Sequence, residues 1–287
     1  MRNRTIGGIT VSAIGLGGMP ISIEGRPEEN RSIATIHAAL DAGVTLIDTA
    51  DAYHMRAGET GHNERLIAKA LASYPGDTTD VLVATKGGHV RPGDGSWQVD
   101  GSPAHIRDAA EASLKALGVD AIGLYQFHRP DPKVPYAESI GALKELLDEG
   151  KIRLAGISNA TVEQIDIARE VLGEANLASV QNQFSPAFRS SEDELRYCAE
   201  LGIAFLPWSP LGGIARADQL GSRHGAFQQV ADAHGVSPQQ ITLAWLLAKA
   251  PVVIPIPGAS RPKSITDSAQ AVDLTLTPAE FKALDQS

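Results

Sequence analysis

Glycine recurs in this chain at one kind of place, and that recurrence limits the fold more than any other feature. The segments "AALDAGVTLID", "LASYPGDTTDVLVATK", "LKALGVDAIGLYQF", "LLDEGKIRLAGIS", "EVLGEANLASVQNQ" and "CAELGIAFLPW" share one grammar. Each has a helix-like tail, a glycine (Gly43, Gly76, Gly118, Gly150, Gly173, Gly202) and then a short apolar run. Glycine just past a helix end accepts the left-handed conformation that closes the last turn. The runs that follow have strand length and mostly lack alternation, as strands buried on both faces do. The tails look amphipathic: "YAESIGALKELLDEG" sets Ile140, Leu143 and Leu147 at helical spacing, with Lys144, Glu145 and Asp148 on other faces. "WLLAKAPVVIPIPG" makes a seventh junction with proline as the breaker, and "SAIGLGG" supplies an opening run, so eight strands are predicted.

Eight strands alternating with helices form a parallel sheet, either open and doubly wound or closed as a (β/α)8 barrel. An open dinucleotide-binding sheet needs G-x-G-x-x-G leading into a helix. The nearest candidate, "GLGGMP", lacks the third glycine and runs into "ISIEGRPEEN", which reads as loop. With 287 residues, 43% of them apolar, the chain suits the closed form and can bury a large core. The predicted fold is therefore α/β, a (β/α)8 barrel in a single domain over residues 1–287, with "TIGGITVS" as an N-terminal hairpin capping the barrel bottom. Residues 89–103 and 209–225 read as long loops after the third and seventh strands.

A formal charge of −9 argues against nucleic-acid binding, which needs basic surface. The one cysteine, Cys198, can form no internal disulfide and reads as a packed thiol in a helix. The opening residues lack the continuous apolar core of a signal peptide, and no run approaches the roughly 20 apolar residues of a membrane span. The expectation is a soluble cytoplasmic protein, monomeric or weakly homo-oligomeric.

In a barrel of this kind chemistry sits where strands end, at the C-terminal face. The second predicted strand ends at Asp48, the third at Lys86, the fourth at His128, the fifth at Ser158 and Asn159, the sixth at Gln181 and Asn182, and the seventh at Trp208. An acid, a lysine and a histidine thus converge on one mouth, and Tyr53, just past the second strand, can fold back over them. A phenol with a pKa near 10 is a poor proton donor at neutral pH unless its anion is stabilised, and a nearby ammonium does that. The buried lysine needs a carboxylate of its own, which Asp48 can supply. A histidine can hold the substrate oxygen against the phenol.

These residues lie within "GLGGMP", "LIDTADAY", "GHNERLIAKAL", "ATKGG", "LYQFHRPDP", "EGKIRLAGISNA", "QNQFSP", "PWSPLGG" and "IPIPGASRP". Taken together and in this order, the segments make the chain resemble the aldo-keto reductases over nearly its full length. The resemblance implies a catalytic tetrad of Asp48, Tyr53, Lys86 and His128, and reversible reduction of an aldehyde or ketone with NADP(H), NAD(H) being the alternative. It implies that Ser158, Asn159 and Gln181 hold the nicotinamide carboxamide, that Trp208 stacks on the ring, and that Ser209, Pro210, Leu211 and Gly213 run along the pyrophosphate. Gly18, Met19, Asp48, Pro257, Gly258 and Ser260 join the cofactor site on the same basis. At the adenosine end the chain departs from the family pattern. Arg261 and Lys263 stand ready for a 2′-phosphate, but Ser264 replaces a common arginine, and Asp267 and Ser268 follow. The resemblance favours NADP(H).

His54, His62, Glu59 and Glu64 have no recognisable ligand spacing, so no metal is expected. Asn63 reads as a helix cap, and Trp97 either as a pocket wall or as the anchor of its own loop. Loops with few apolar residues beyond Met55, Trp97 and Ile214 suggest a small polar carbonyl substrate, such as a sugar. Two other functions fit the residues: a lyase in which Lys86 forms a Schiff base, and a regulatory subunit that binds the cofactor without turnover.

Overall fold

The computed structural model describes residues 1–214 and 216–287. The chain opens with an antiparallel hairpin, β1 (Asn3–Ile6) and β2 (Ile9–Ser12), turned at Gly7 and Gly8. Both glycines have positive φ, 53° and 85°, as the tight turns that match strand twist require. A Cβ on Gly7 would lie 2.6 Å from the Leu154 side chain, so the turn rests on the barrel wall. Ile6 and Val11 pack with Leu46, Leu82, Leu124 and Ile254 and plug the N-terminal end, as expected.

The parallel strands follow: β3 (Leu16–Gly17), β4 (Leu46–Asp48) and β5 (Leu82–Gly87). A small antiparallel pair, β6 (His89–Val90) and β7 (Gln98–Val99), interrupts the series inside the first long loop. Then come β8 (Ile122–Phe127), β9 (Ile152–Ser158), β10 (Leu177–Gln181) and β11 (Ala204–Phe205). Their order in the sheet is β11-β10-β9-β8-β5-β4-β3.

Residues 252–258 close the circle. On one side Phe205 N donates to Val252 O at 2.9 Å and Ile254 N to Phe205 O at 2.9 Å. On the other, Gly15 N donates to Pro255 O and Gly17 N to Pro257 O, each at 2.9 Å. This eighth strand is thinner in hydrogen bonds than the rest because Pro255 and Pro257 have no N–H to return to β3. The fold is the predicted (β/α)8 barrel.

Helices α1 (Glu29–Asp41), α2 (His62–Ser73), α3 (Pro103–Leu117), α4 (Tyr136–Asp148), α5 (Val162–Leu172) and α6 (Glu192–Leu201) alternate with the strands. After β11 come α7 (Leu220–Arg223), α8 (Gly225–His234), α9 (Pro238–Lys249), α10 (Pro262–Gln270) and α11 (Pro278–Asp285). The main core lies between strands and helices, where Ile106, Ala110, Leu143 and Leu146 meet Tyr125, Phe127 and Ile157. In α4 the deepest residue of the last turn is Leu146, with Leu147 only partly buried, one position from the expected seam. Cys198 is buried, and burial pushes its thiol up to about 12.

Gly118 and Gly202 close α3 and α6 in the left-handed conformation, with φ of 68° and 71°. Gly76 does not do this for α2. There the helix ends at Tyr74, held extended by the following Pro75, which disfavours helical geometry in the residue before it. Nor does Asn63 cap α2, because the helix begins one residue earlier behind Gly61. The second long loop carries a 3-10 turn (Ala217–Gln219) and α7; Ala215, within that loop, lies outside the described residues.

Candidate active site

Three adjacent strands deliver the polar cluster. Asp48 ends β4, Lys86 sits near the end of β5, and His128 follows β8 directly. The Lys86 ammonium is fully buried and donates to Asp48 Oδ1 at 2.6 Å, to Thr49 O at 2.7 Å and to the Tyr53 hydroxyl at 3.3 Å. Three donors therefore meet three acceptors. Asp48 Oδ2 accepts from Gln181 Nε2 at 2.8 Å and from Gln126 Nε2 at 3.4 Å. Because Lys86 donates into the phenol oxygen, the proton of Tyr53 is free to point elsewhere. The Tyr53 and His128 rings meet edge to face, with centroids 5.8 Å apart.

Burial is the largest influence on all three titrating groups. It raises the Tyr53 phenol; the Lys86 charge pulls the other way and Asp48 adds to the rise, so the net direction is up. The lysine does lower the phenol, as the sequence implies, but desolvation outweighs it, and the tyrosine keeps its proton. Burial alone would lower Lys86, yet the charges and hydrogen bonds of Asp48 and Tyr53 reverse this and raise it. His128 is held well below the ordinary imidazole value by burial, then by His89, Lys86 and Arg129, so it is neutral.

The pair β6 and β7 forms one wall. The Arg91 side chain is buried, bonds the carbonyl of His54, reaches Glu24 Oε1 at 2.5 Å and lies 4.4 Å over the Trp97 ring. Trp97 in turn meets the Tyr53 ring edge-on at 6.5 Å and contributes to the cavity. The tryptophan thus both anchors its loop and lines the pocket. Arg91, Glu24 and Gln126 escape sequence reading. A charged residue in a polar loop looks like solvated surface until its partner is known, whereas Gln126, a polar residue inside an apolar strand run, was a detectable signal.

A cavity of about 590 Å³ opens above the cluster. Of the residues expected to hold a cofactor, it gathers Met19, Asp48, Ser158, Asn159, Gln181, Trp208, Ser209, Pro210, Leu211, Gly213 and Gly258. Tyr53, Trp97, His128 and Arg129 line it as well, while Ile23, Glu24, His89 and Val99 lie outside the motif segments. Asn159 is fastened on every side. Its Nδ2 donates to His128 O and Ser158 Oγ, each at 3.0 Å, and its Oδ1 accepts from Trp208 Nε1 at 3.2 Å and Arg129 at 3.3 Å. Among the described residues, Asn159 and Ser209 are the non-glycine positions with positive φ, 56° and 49°. Such backbone strain persists where the surroundings over-determine it, and both instances border this cavity. A rigid indole, a pinned amide and a polar floor suit a flat aromatic ring carrying a carboxamide. The residues present fit a nicotinamide.

Gly18 and Pro257 lie behind this lining. Gly18 N donates to Asp48 O at 2.7 Å, and Pro257 O belongs to the closing ladder. Ser260 and Arg261 precede α10, and Ser264, Asp267 and Ser268 lie within it, all outside the cavity lining. Arg261 is exposed, 4.0 Å from the exposed Asp218. Ser268 is buried. Asp267 accepts from Ser237 Oγ at 2.7 Å and Gln240 Nε2 at 2.8 Å, fastening α10 to α9.

The polar side chains near α2 pair locally. His62 Nδ1 is 2.9 Å from Ser22 Oγ, His54 Nδ1 is 2.9 Å from Arg56 O, and Asn63 donates to Gly18 O at 2.9 Å and to Ser22 Oγ at 2.7 Å. Glu64 accepts from Thr85 Oγ1 at 2.5 Å.

Known proteins are similar to this chain in sequence and fold. Residues 13–287 match the model of the aldo/keto reductase family. An uncharacterised oxidoreductase of Schizosaccharomyces pombe is 35% identical over 98% of this chain and 88% of its own length. The structure of a glycerol dehydrogenase from Gluconobacter oxydans superposes with a TM-score of 0.84 at 31% identity, covering 99% of this chain and 94% of that one. An aldo/keto reductase from Klebsiella pneumoniae, in complex with NADP and acetate, does so with a TM-score of 0.81 at 28% identity, over 99% and 94% of the two chains. No helix among the described residues is long and apolar enough to cross a membrane. Family model, relatives and fold agree: this chain belongs to the aldo/keto reductase family and is an oxidoreductase.

Proposed function

We propose that the protein reduces an aldehyde or ketone to the alcohol, with NADP(H) as cofactor and Tyr53 as proton donor. The observation that carries this reading is the fully buried Lys86 ammonium, bound at once to Asp48 and to the Tyr53 hydroxyl. The dinucleotide, when bound, supplies the hydride. Tyr53 gives its phenolic proton to the carbonyl oxygen as charge develops there. Lys86 stabilises the phenolate left behind, and Asp48 keeps Lys86 charged. Neutral His128 donates to the same oxygen and holds it against the phenol. Ser158, Asn159 and Gln181 are the residues we assign to the carboxamide, and Trp208 to the ring face. Arg261 and Lys263, at the start of α10, favour NADP(H) over NAD(H) by charge.

The substrate we infer is a small polar carbonyl. Glu24, His89 and Arg129 border the cavity among apolar walls, and the Gluconobacter oxydans relative is a dehydrogenase of a polyol. We further read residues 1–287 as one domain acting in the cytoplasm as a monomer or weak homo-oligomer. A Schiff-base role for Lys86 is disfavoured because it needs a depressed pKa, whereas Asp48 and Tyr53 raise it. A regulatory role without turnover has no observation in its favour. Steady-state NADPH oxidation against a panel of aldehydes and ketones tests the proposal, and cofactor binding without oxidation by any of them would refute it.

A further inference from the structure

His89, the first residue of β6, lies three positions beyond Lys86 and packs on His128 with ring centroids 4.1 Å apart. Trp97 covers it from another direction at 5.3 Å, and Arg91 holds Trp97 in place. Both imidazoles are neutral. Burial, then Arg129 and Lys86, push His89 down to about 4, and His128 is lowered well below its ordinary value, chiefly by burial. A neutral imidazole carries one N–H. In each ring Nδ1 is buried with no hydrogen-bond partner among the described residues. An unpaired buried N–H is rarer than an unpaired buried acceptor, so Nδ1 bears the lone pair and Nε2 the hydrogen. Both rings line the cavity, and Nε2 is the nitrogen each leaves to face it.

The cavity thus holds two adjacent imidazole N–H donors, where a carbonyl oxygen already bonded to Tyr53 needs one. We propose that His89 is a specificity-determining residue. With Tyr53 and His128 on the carbonyl oxygen, the His89 Nε2–H binds a second oxygen on the adjacent carbon. The site then favours α-hydroxy and α-oxo carbonyl compounds over unsubstituted aldehydes. An unsubstituted substrate leaves that N–H desolvated and unpaired, which counts against it. This inference rests on the reductase reading above and narrows its substrate class.

The test compares kcat/KM for 2-hydroxypropanal and propanal, each corrected for its hydrated fraction, in wild type, His89→Phe and His89→Gln. The ratio of the two substrates cancels any general effect on turnover, and its change from wild type to variant, the readout, also cancels the intrinsic reactivity of each aldehyde. Phenylalanine keeps an aromatic ring on His128 without the donor, and the ratio should fall about 2- to 12-fold, the scale of one neutral hydrogen bond. Glutamine restores a donor and should recover the ratio. An unchanged ratio in His89→Phe, or equal losses in both variants, overturns the inference while the reductase reading stands. No turnover of either aldehyde in wild type overturns the inference, and the reductase reading falls with it only if the wider panel of aldehydes and ketones also fails.

Discussion

The Nζ of Lys86 lies 2.6 Å from Oδ1 of Asp48, in an ion pair almost wholly removed from water. A buried pair of this kind contributes little net stability, but removing one partner leaves an uncompensated charge.

Lys86→Met should therefore destabilise the fold by about 3–5 kcal/mol, and adding Asp48→Asn should recover part of that loss. Urea unfolding of the two single variants and the double variant measures the coupling. Additive losses would mean that the pair does not act as a unit. In Lys86→Met the phenol also loses the charge that opposes its burial, so any residual activity should show its basic limb at higher pH.

Tyr53→Phe removes only the proton donor. Turnover should fall by roughly 10²-fold or more, the scale of general acid catalysis, while NADPH affinity by fluorescence titration stays near wild type. Wild-type turnover in this variant would refute the assignment.

Arg261→Ala tests cofactor choice. The Kd for NADPH should rise about 10- to 150-fold, the range of one charge-assisted contact, with little change for NADH, which lacks the 2′-phosphate. Equal losses for both cofactors would assign Arg261 to the shared part of the dinucleotide or to the fold, and move attention to Lys263.

Asp51 offers a pH test. Burial first, then Glu64, hold its carboxyl well above the ordinary value, and its Oδ1 has no partner among the described residues. With the folded value above the unfolded one, this group's contribution is fully present at low pH. It is lost as pH rises from the unfolded carboxyl range through the folded value. Asp51→Asn removes the titration, so its stability relative to wild type should be greater at pH 8 than at pH 4, by about 1–3 kcal/mol. Urea midpoints at the two pH values measure this, and a pH-independent difference would contradict it.

Much of this protein is legible in its sequence because the relevant physics is local. Gly118 and Gly202 end helices through a backbone conformation that favours glycine, and the apolar runs after them can only be buried strands. Once a parallel barrel is inferred, strand ends become neighbours, and Asp48, Lys86 and His128 converge without any further information. Where local signals compete, the reading slips by a residue or a role. Pro75 overrode Gly76 in ending α2, and Asn63 turned inward to Gly18 and Ser22 rather than capping the helix.

What only the tertiary structure decided are the relationships between residues distant in sequence whose side chains do not announce a partner. Arg91 meets Glu24 across 67 positions, and Trp208 meets Asn159 across 49. The tilted packing of His89 on His128 is likewise set by the turn of β6 over the barrel mouth. Residue type and spacing determined which groups reach the mouth, because strand direction and helix capping act over a few residues. The protonation state of those groups, and which nitrogen of each imidazole faces substrate, depend on burial and on charges from other strands. Desolvation is a property of the packed whole, and no short stretch of sequence contains it.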